Sequence, residues 1–309
     1  MVSTSKTTVL IAVLCLVWGS TWIVIAGGLA DLPPLTSAAA RFAIAAVAMS
    51  IVAHFLRKRE GGSAPTLALS LALGGLNFGA CYGIVYWSET HLPSAFVSVL
   101  WSVFPMLMAI SGHFFLPGDK LRARQWIGFV VGFLGVALLF ATDLAKIGPG
   151  AIPAGAILLA SPLLSVVGTT LVKRSGAHTS SVLLNRNGMW IGAAILAAAA
   201  WLFERDTPAR WTASAVASVL YLSLAGTVLT FSLYFWLLRH TPASRMSLIA
   251  YVTPAIALLL GGFVGREPIT GWTLSGSGLI LAGVGLVLRG GHSKGSEKQG
   301  VLGRSTRSN

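Results

Sequence analysis

Residues 8 to 28 read TVLIAVLCLVWGSTWIVIAGG, a run without a single charged side chain. A helix rises 1.5 Å per residue and the hydrocarbon core of a bilayer is about 30 Å thick, so a run of this length crosses it. Nine stretches of the same character follow, at 36–56, 66–88, 92–115, 123–141, 151–172, 181–202, 213–237, 243–264 and 271–288. Over 309 residues, 55% are hydrophobic and 10% charged, and the mean hydropathy is +0.78. Soluble domains carry about a quarter of their residues charged, so the composition excludes one. The chain reads as an all-α polytopic membrane protein with ten transmembrane helices. Lys6, the apolar run and the small residues Ala26 to Ala30 imitate a secretory leader. The run is long for a leader and carries Trp18, Ser20, Thr21 and Trp22, so it is taken as the first span.

A net charge of +13 would suggest a nucleic-acid partner in a soluble protein. Here the bases are sorted by loop. With the N-terminus in the cytoplasm, 17 of the 22 Lys and Arg side chains fall on the cytoplasmic side, and only Arg41, Lys146, Arg205, Arg210 and Arg266 on the other. The positive-inside rule then places both termini in the cytoplasm, and no nucleic-acid partner is expected. Cys15 and Cys81 both lie within spans, where they read as small packing residues. Neither a metal site nor a cofactor is expected.

One displacement of the chain on itself carries His91-Leu92-Pro93-Ser94 onto His240-Thr241-Pro242-Ala243. The same register pairs Trp87 with Trp236, Ser98 with Ser247, Val103 with Val252, Pro105 with Pro254 and Gly112 with Gly261; after a one-residue slip, Gly135-Val136-Ala137-Leu138 meets Gly283-Val284-Gly285-Leu286. This is a duplication. It gives a first five-helix repeat over 1–141, a periplasmic linker at 142–150, a second repeat over 151–289 and a disordered cytoplasmic tail at 290–309. Five is odd, so the second repeat is inserted upside down. Inverted repeats in a membrane protein point to alternating access around a site at their interface.

Trp18-Gly19-Ser20-Thr21-Trp22, Arg41-Phe42, Pro93-Ser94-Ala95, the Pro105 and Pro254 spans and the Gly-rich fifth and tenth spans together resemble the drug/metabolite transporter superfamily. The resemblance is to its ten-helix EamA-type exporters and covers essentially the whole chain. Ala160-Ser161-Pro162 departs from it, where the family often has Trp-Ala. The resemblance implies a multi-pass protein of the bacterial inner membrane that exports amino acids, aromatic ones included.

The residues themselves give the candidate site. In the fourth span Ser94, Ser98, Trp101, Ser102 and Pro105 share one helical face. Trp101 lies about nine residues in, roughly 14 Å deep, where a tryptophan suits a cavity wall better than an interfacial anchor. The substrate-binding candidates are Trp18, Trp22, Asn77, Tyr82, Ser98, Trp101, Ser102, Ser161, Ser223, Thr227, Ser247 and Tyr251. Pro105, Pro162 and Pro254 each remove a helix hydrogen bond and are the hinge candidates. Serine and threonine equally suit their own helix carbonyls, and a proline equally suits a packing kink, so both roles stay open here. Tyr86, Trp87, Trp190, Trp201, Trp236 and Trp272 are ambiguous between belt and interior.

Absences narrow the function. All nine acidic residues fall in loops, at span ends or in the tail, and proton-coupled carriers commonly hold one at depth. Uncoupled, facilitated movement of a small amphipathic solute is therefore expected. The alternative is a multidrug or cationic-compound exporter coupled to protons. No zinc-hydrolase or phosphate-loop motif is present, so neither an enzyme nor an ATP-driven pump is indicated. The expected partners are the bilayer and a small-molecule substrate, with no obligatory protein partner.

Overall fold

The computed structural model describes residues 4–116, 121–144, 147–176, 178–240 and 248–289. Part of the 142–150 linker, Ser247 and the 290–309 tail lie outside the described residues. The described chain forms ten helical spans. They are α1 (Thr4–Leu29), α2 (Pro34–Glu60), α3 (Leu67–Ser88), α4 (Ser94–Phe115), α5 (Ala123–Asp143), α6 (Ala151–Ser175), α7 (Ser181–Phe203), α8 (Ala213–Ser223, Leu224–Leu229 and Thr230–His240), α9 (Leu248–Phe263) and α10 (Gly271–Arg289). The first eight spans are long and apolar enough to cross a membrane, and the last two include shorter apolar helices.

Successive helices run in opposite directions. We call the end where α1 begins the near end and the end where it finishes the far end. Backbone groups cannot go unpaired in lipid, and the sequence closes three of the helix starts with a local hydroxyl. Thr66 and Thr212 occupy the same place in the two repeats, and each hydroxyl accepts from an amide in the first turn of its helix, Leu69 in α3 and Ala215 in α8. Ser180 does the same for α7. Pro33 and Pro34 open α2, and Pro93 precedes α4.

The repeats interlock. α1 packs into the second repeat against α8 and α9, and α6 packs into the first against α3 and α4. Between them α2 lies along α7, and α5 along α10. The α5–α10 contact is made by glycines: a Cβ on Gly283 would sit 2.5 Å from the Gly128 carbonyl oxygen and 2.6 Å from the Gly132 nitrogen. Small residues allow this backbone-to-backbone approach. Phe42, Phe78, Tyr86, Leu100, Met106, Leu139 and Met189 fill the interior, while Leu16, Val47, Ile51, Phe133, Val167 and Leu259 face outward over the apolar belt.

Helix irregularities recur by symmetry. α3 widens into π-helix over Ala72–Ala80 and its counterpart α8 over Leu224–Leu229. Such turns displace side chains and free carbonyls, and they concentrate at functional sites. The prolines behave differently from one another. α4 breaks after Trp101 and restarts at Phe104, with Pro105 in its new first turn, whereas Pro162 and Pro254 are buried within unbroken helices.

Candidate functional site

At the centre, α1 and α4 bring Trp22 and Trp101 together with ring centroids 6.3 Å apart, and Trp101 stacks on Phe104 at 5.0 Å. The Cys81 thiol of α3 lies beside Trp101 and Ser161 of α6. Trp22 Nε1 and Ser98 Oγ are buried here without a hydrogen-bond partner, while the Trp101 and Ser161 side chains pair with the Cys81 thiol. Buried polar groups are ordinarily paired, so two unpartnered atoms beside one aromatic pair make this the candidate site.

A second aromatic series runs from α2 and α3 through α8 to α1. Phe42 meets Tyr82 at 4.8 Å and Phe78 at 5.3 Å; Phe78 meets Phe231 at 5.5 Å; Phe231 meets Trp18 at 6.0 Å, and Trp18 meets Tyr234 at 5.5 Å. At its head is Arg41, 1% exposed. Its guanidinium donates to Thr227 Oγ1 at 3.0 Å, to the Tyr86 hydroxyl at 3.3 Å and to the Gly226 carbonyl at 3.4 Å, and it lies 4.8 Å from the Tyr82 ring centroid. Thr227 and Gly226 belong to the π-helical turn of α8, which turns these oxygens toward α2.

Arg41 corrects the charge count above. It is no loop base: it stands two turns inside α2, about 10 Å from the helix start, as an interior cation. Glu89 corrects the ground for uncoupled movement. It caps the end of α3, as its place in the sequence implies, but it is 7% exposed and no side chain among the described residues donates to its carboxyl. An acid away from water is therefore present after all.

The other candidates divide. Asn77 donates to the Ser165 carbonyl, Ser165 Oγ and Thr169 Oγ1 at 3.1, 2.9 and 3.0 Å, so its amide ties α3 to α6. Ser102 Oγ donates to the Val99 carbonyl at 2.6 Å and Ser223 Oγ to that of Val219 at 2.6 Å, the self-satisfying role of membrane hydroxyls. Ser98, Trp101, Trp22 and Ser161 converge; Trp18, Tyr82 and Thr227 join the Arg41 series. Tyr251 is described only as backbone in α9. Among the ambiguous aromatics, Tyr86 is interior, Trp190, Trp201 and Trp272 are exposed, and Trp87 stacks on His91 at 4.5 Å. The Trp236 side chain lies outside the described residues.

The profile of the EamA-like transporter family matches residues 5–141 and again residues 153–289. The chain belongs to the EamA-like transporter family. As an EamA protein with two such domains it is a multi-pass membrane protein and a secondary transporter, not an enzyme. It is 28% identical to the uncharacterized transporter YoaV of Bacillus subtilis (strain 168) over 270 residues, 87% of this chain and 92% of that one. It is also 28% identical to the uncharacterized inner membrane transporter YedA of Escherichia coli (strain K12) over 286 residues, 90% of this chain and 89% of that one. A solved crystal structure superposes on this EamA transporter with a TM-score of 0.65 at 19% identity, covering 92% of this chain and 96% of the other, and this likeness is one of fold.

Proposed function

We propose that this transporter is an alternating-access exporter of small amphipathic metabolites, amino acids with aromatic side chains among them, in a bacterial inner membrane with both its termini cytoplasmic. The Trp22–Trp101 pair, with the unpartnered Trp22 indole N–H and Ser98 hydroxyl beside it, carries the proposal. An aromatic side chain would stack against one of these rings, a contact contributing about 0.5–1.5 kcal/mol, while a solute oxygen would accept from the Trp22 N–H. Arg41 supplies the fixed positive charge that a substrate carboxylate needs, and Arg is the side chain best suited to it. Uncoupled flux is not retained, because the burial of Glu89 removes its ground.

An exporter of cationic compounds would use the same ring faces and could draw on Glu89. The buried charge of Arg41 weighs against a cation and favours a solute carrying a carboxylate. Counterflow in proteoliposomes tests this directly: labelled phenylalanine and tryptophan are expected to exchange, with hydrophobic cations failing to compete. Exchange of a hydrophobic cation without exchange of either amino acid would overturn the proposal.

A further inference from the structure

The far end holds two carboxylates in different circumstances. Glu267, in the turn between α9 and α10, caps α4: its Oε1 accepts from the Ser94 amide at 2.8 Å and the Ser94 hydroxyl at 2.6 Å, and its Oε2 from the Ala95 amide at 2.9 Å. Those three donors, at the positive end of the helix, hold the carboxylate in place. Glu89, just past the end of α3, is 7% exposed and has no side-chain donor among the described residues, only the Ala26 backbone of α1 beside it. Two nearby carboxylates cannot both stay charged in a dry site, and the proton goes to the one that its surroundings leave unsupported.

We propose that Glu89 is a proton-binding site of this carrier, and that its ionisation separates the end of α3 from the far-end clasp that Glu267 makes with α4. The proposal rests on alternating access but not on the identity of the solute. The groups that face Glu89 are few. α2 presents the Arg41 guanidinium, the α9–α10 turn presents the Glu267 carboxylate, α3 itself presents the Tyr86 hydroxyl, and α1 presents the Ala26 backbone. Burial raises the Glu89 carboxyl well above its usual range, the charge of Glu267 adds to this, and Arg41 opposes it. Protonated, Glu89 is neutral and the end can stay closed around it. When the proton passes to water on the far side, the new carboxylate meets the charge of Glu267 with only the Ala26 backbone of α1 to support it. It regains solvation only if the end of α3 separates from the α4–Glu267 clasp. Closing the far end therefore takes up a proton from that side, which links the carrier's cycle to the proton gradient.

The test uses the protein without any solute, so its outcome is independent of what is carried. Spin labels would be placed on the exposed positions Thr90→Cys and Val264→Cys after replacing Cys15 and Cys81 with alanine, and the distance distribution followed as pH rises. The expected result is a single short distance at acidic pH that gains a longer component on the alkaline side, and one short distance throughout in Glu89→Gln. A distribution that ignores pH, or a Glu89→Gln protein that shifts as the parent does, would overturn the proposal. Infrared spectra of the unmodified protein add a readout that needs no variant: a protonated carboxyl stretch should be present near neutral pH and vanish on alkalinisation, and its absence near neutral pH would also overturn the proposal.

Discussion

The carboxylate of Glu204, one residue past α7, accepts from both the amide of Thr36 at 2.7 Å and its hydroxyl at 2.8 Å in the first turn of α2. A further bond from the Leu35 amide at 2.7 Å completes the cap. At the other end of the same helix pair the roles reverse: Glu60, the last residue of α2, accepts from the hydroxyls and amides that open α7 at Ser180, Ser181 and Val182. Each helix of the pair thus supplies the acid that closes its partner's start. Charged hydrogen bonds to otherwise orphaned amides are worth about 1.5–3 kcal/mol. Glu204→Ala and Glu60→Ala should each destabilise the protein by roughly 1–3 kcal/mol, read as lowered melting temperatures in detergent. A loss for only one of them would show that the reciprocity is geometric and not energetic.

Arg41→Met should separate recognition of the carboxylate from recognition of the ring. Removing a charge-assisted contact of about 1.5–3 kcal/mol raises an apparent KM about tenfold or more. That rise is expected for phenylalanine in counterflow, with phenylalaninamide changed far less. Equal effects on the two compounds would assign Arg41 a structural role.

At Trp101 the expected effect is on affinity and selectivity. Trp101→Ala removes one aromatic face of about 0.5–1.5 kcal/mol, so apparent KM for aromatic amino acids should rise roughly two- to tenfold, and Trp101→Phe should recover most of it. Unchanged flux in Trp101→Ala would move the site away from the Trp22–Trp101 pair.

The pH dependence of stability follows from Glu89. Its carboxyl is raised in the folded state, so the fold binds more protons than the unfolded chain, and ∂ΔG/∂pH for unfolding is negative between the ordinary carboxylate range and the raised value. Melting temperature should therefore fall as pH climbs through that window, and Glu89→Gln should flatten the slope. A variant that keeps the full slope would place the titrating group elsewhere.

The α5–α10 glycines give a packing test. Gly283→Ala puts a methyl group against the Gly128 and Gly132 backbone, which cannot move aside, whereas Gly27→Ala meets nothing within 4 Å. Overpacking costs about 1–3 kcal/mol, so folded yield and melting temperature should drop for Gly283→Ala and stay level for Gly27→Ala.

Much of the fold was legible because lipid imposes one answer on any long uncharged run. The expected span 66–88 is observed as Leu67–Ser88, and 181–202 as Ser181–Phe203. The register pairing Pro105 with Pro254 likewise identified α4 and α9 as counterparts, although only α4 breaks at its proline. The site was legible in part. Spacing within α4 put Ser98 and Trp101 on one face, but spacing cannot say which partner another helix brings, so Trp22 and Ser161 entered as separate candidates. Ser102 and Ser223 were missed in the opposite sense, since whether a hydroxyl bonds its own helix depends on its rotamer. Arg41 was misjudged because it stands early in its span, where a base could reach water along its stem; its depth inside α2 was the signal that could have placed it.

Hydropathy, charge sorting and internal repetition, all properties of the chain read one segment at a time, determined that this protein is a ten-span membrane protein built from two oppositely inserted halves. The tertiary structure alone decided that α1 and α6 exchange between those halves, that Trp22 faces Trp101, that Arg41 reaches the π-turn of α8, and that Glu89 is sealed beside the clasped Glu267. Those facts depend on contacts between residues tens to hundreds of positions apart. The energy of a buried charge or an orphaned N–H is set by what surrounds it in space, which no local pattern of residues records.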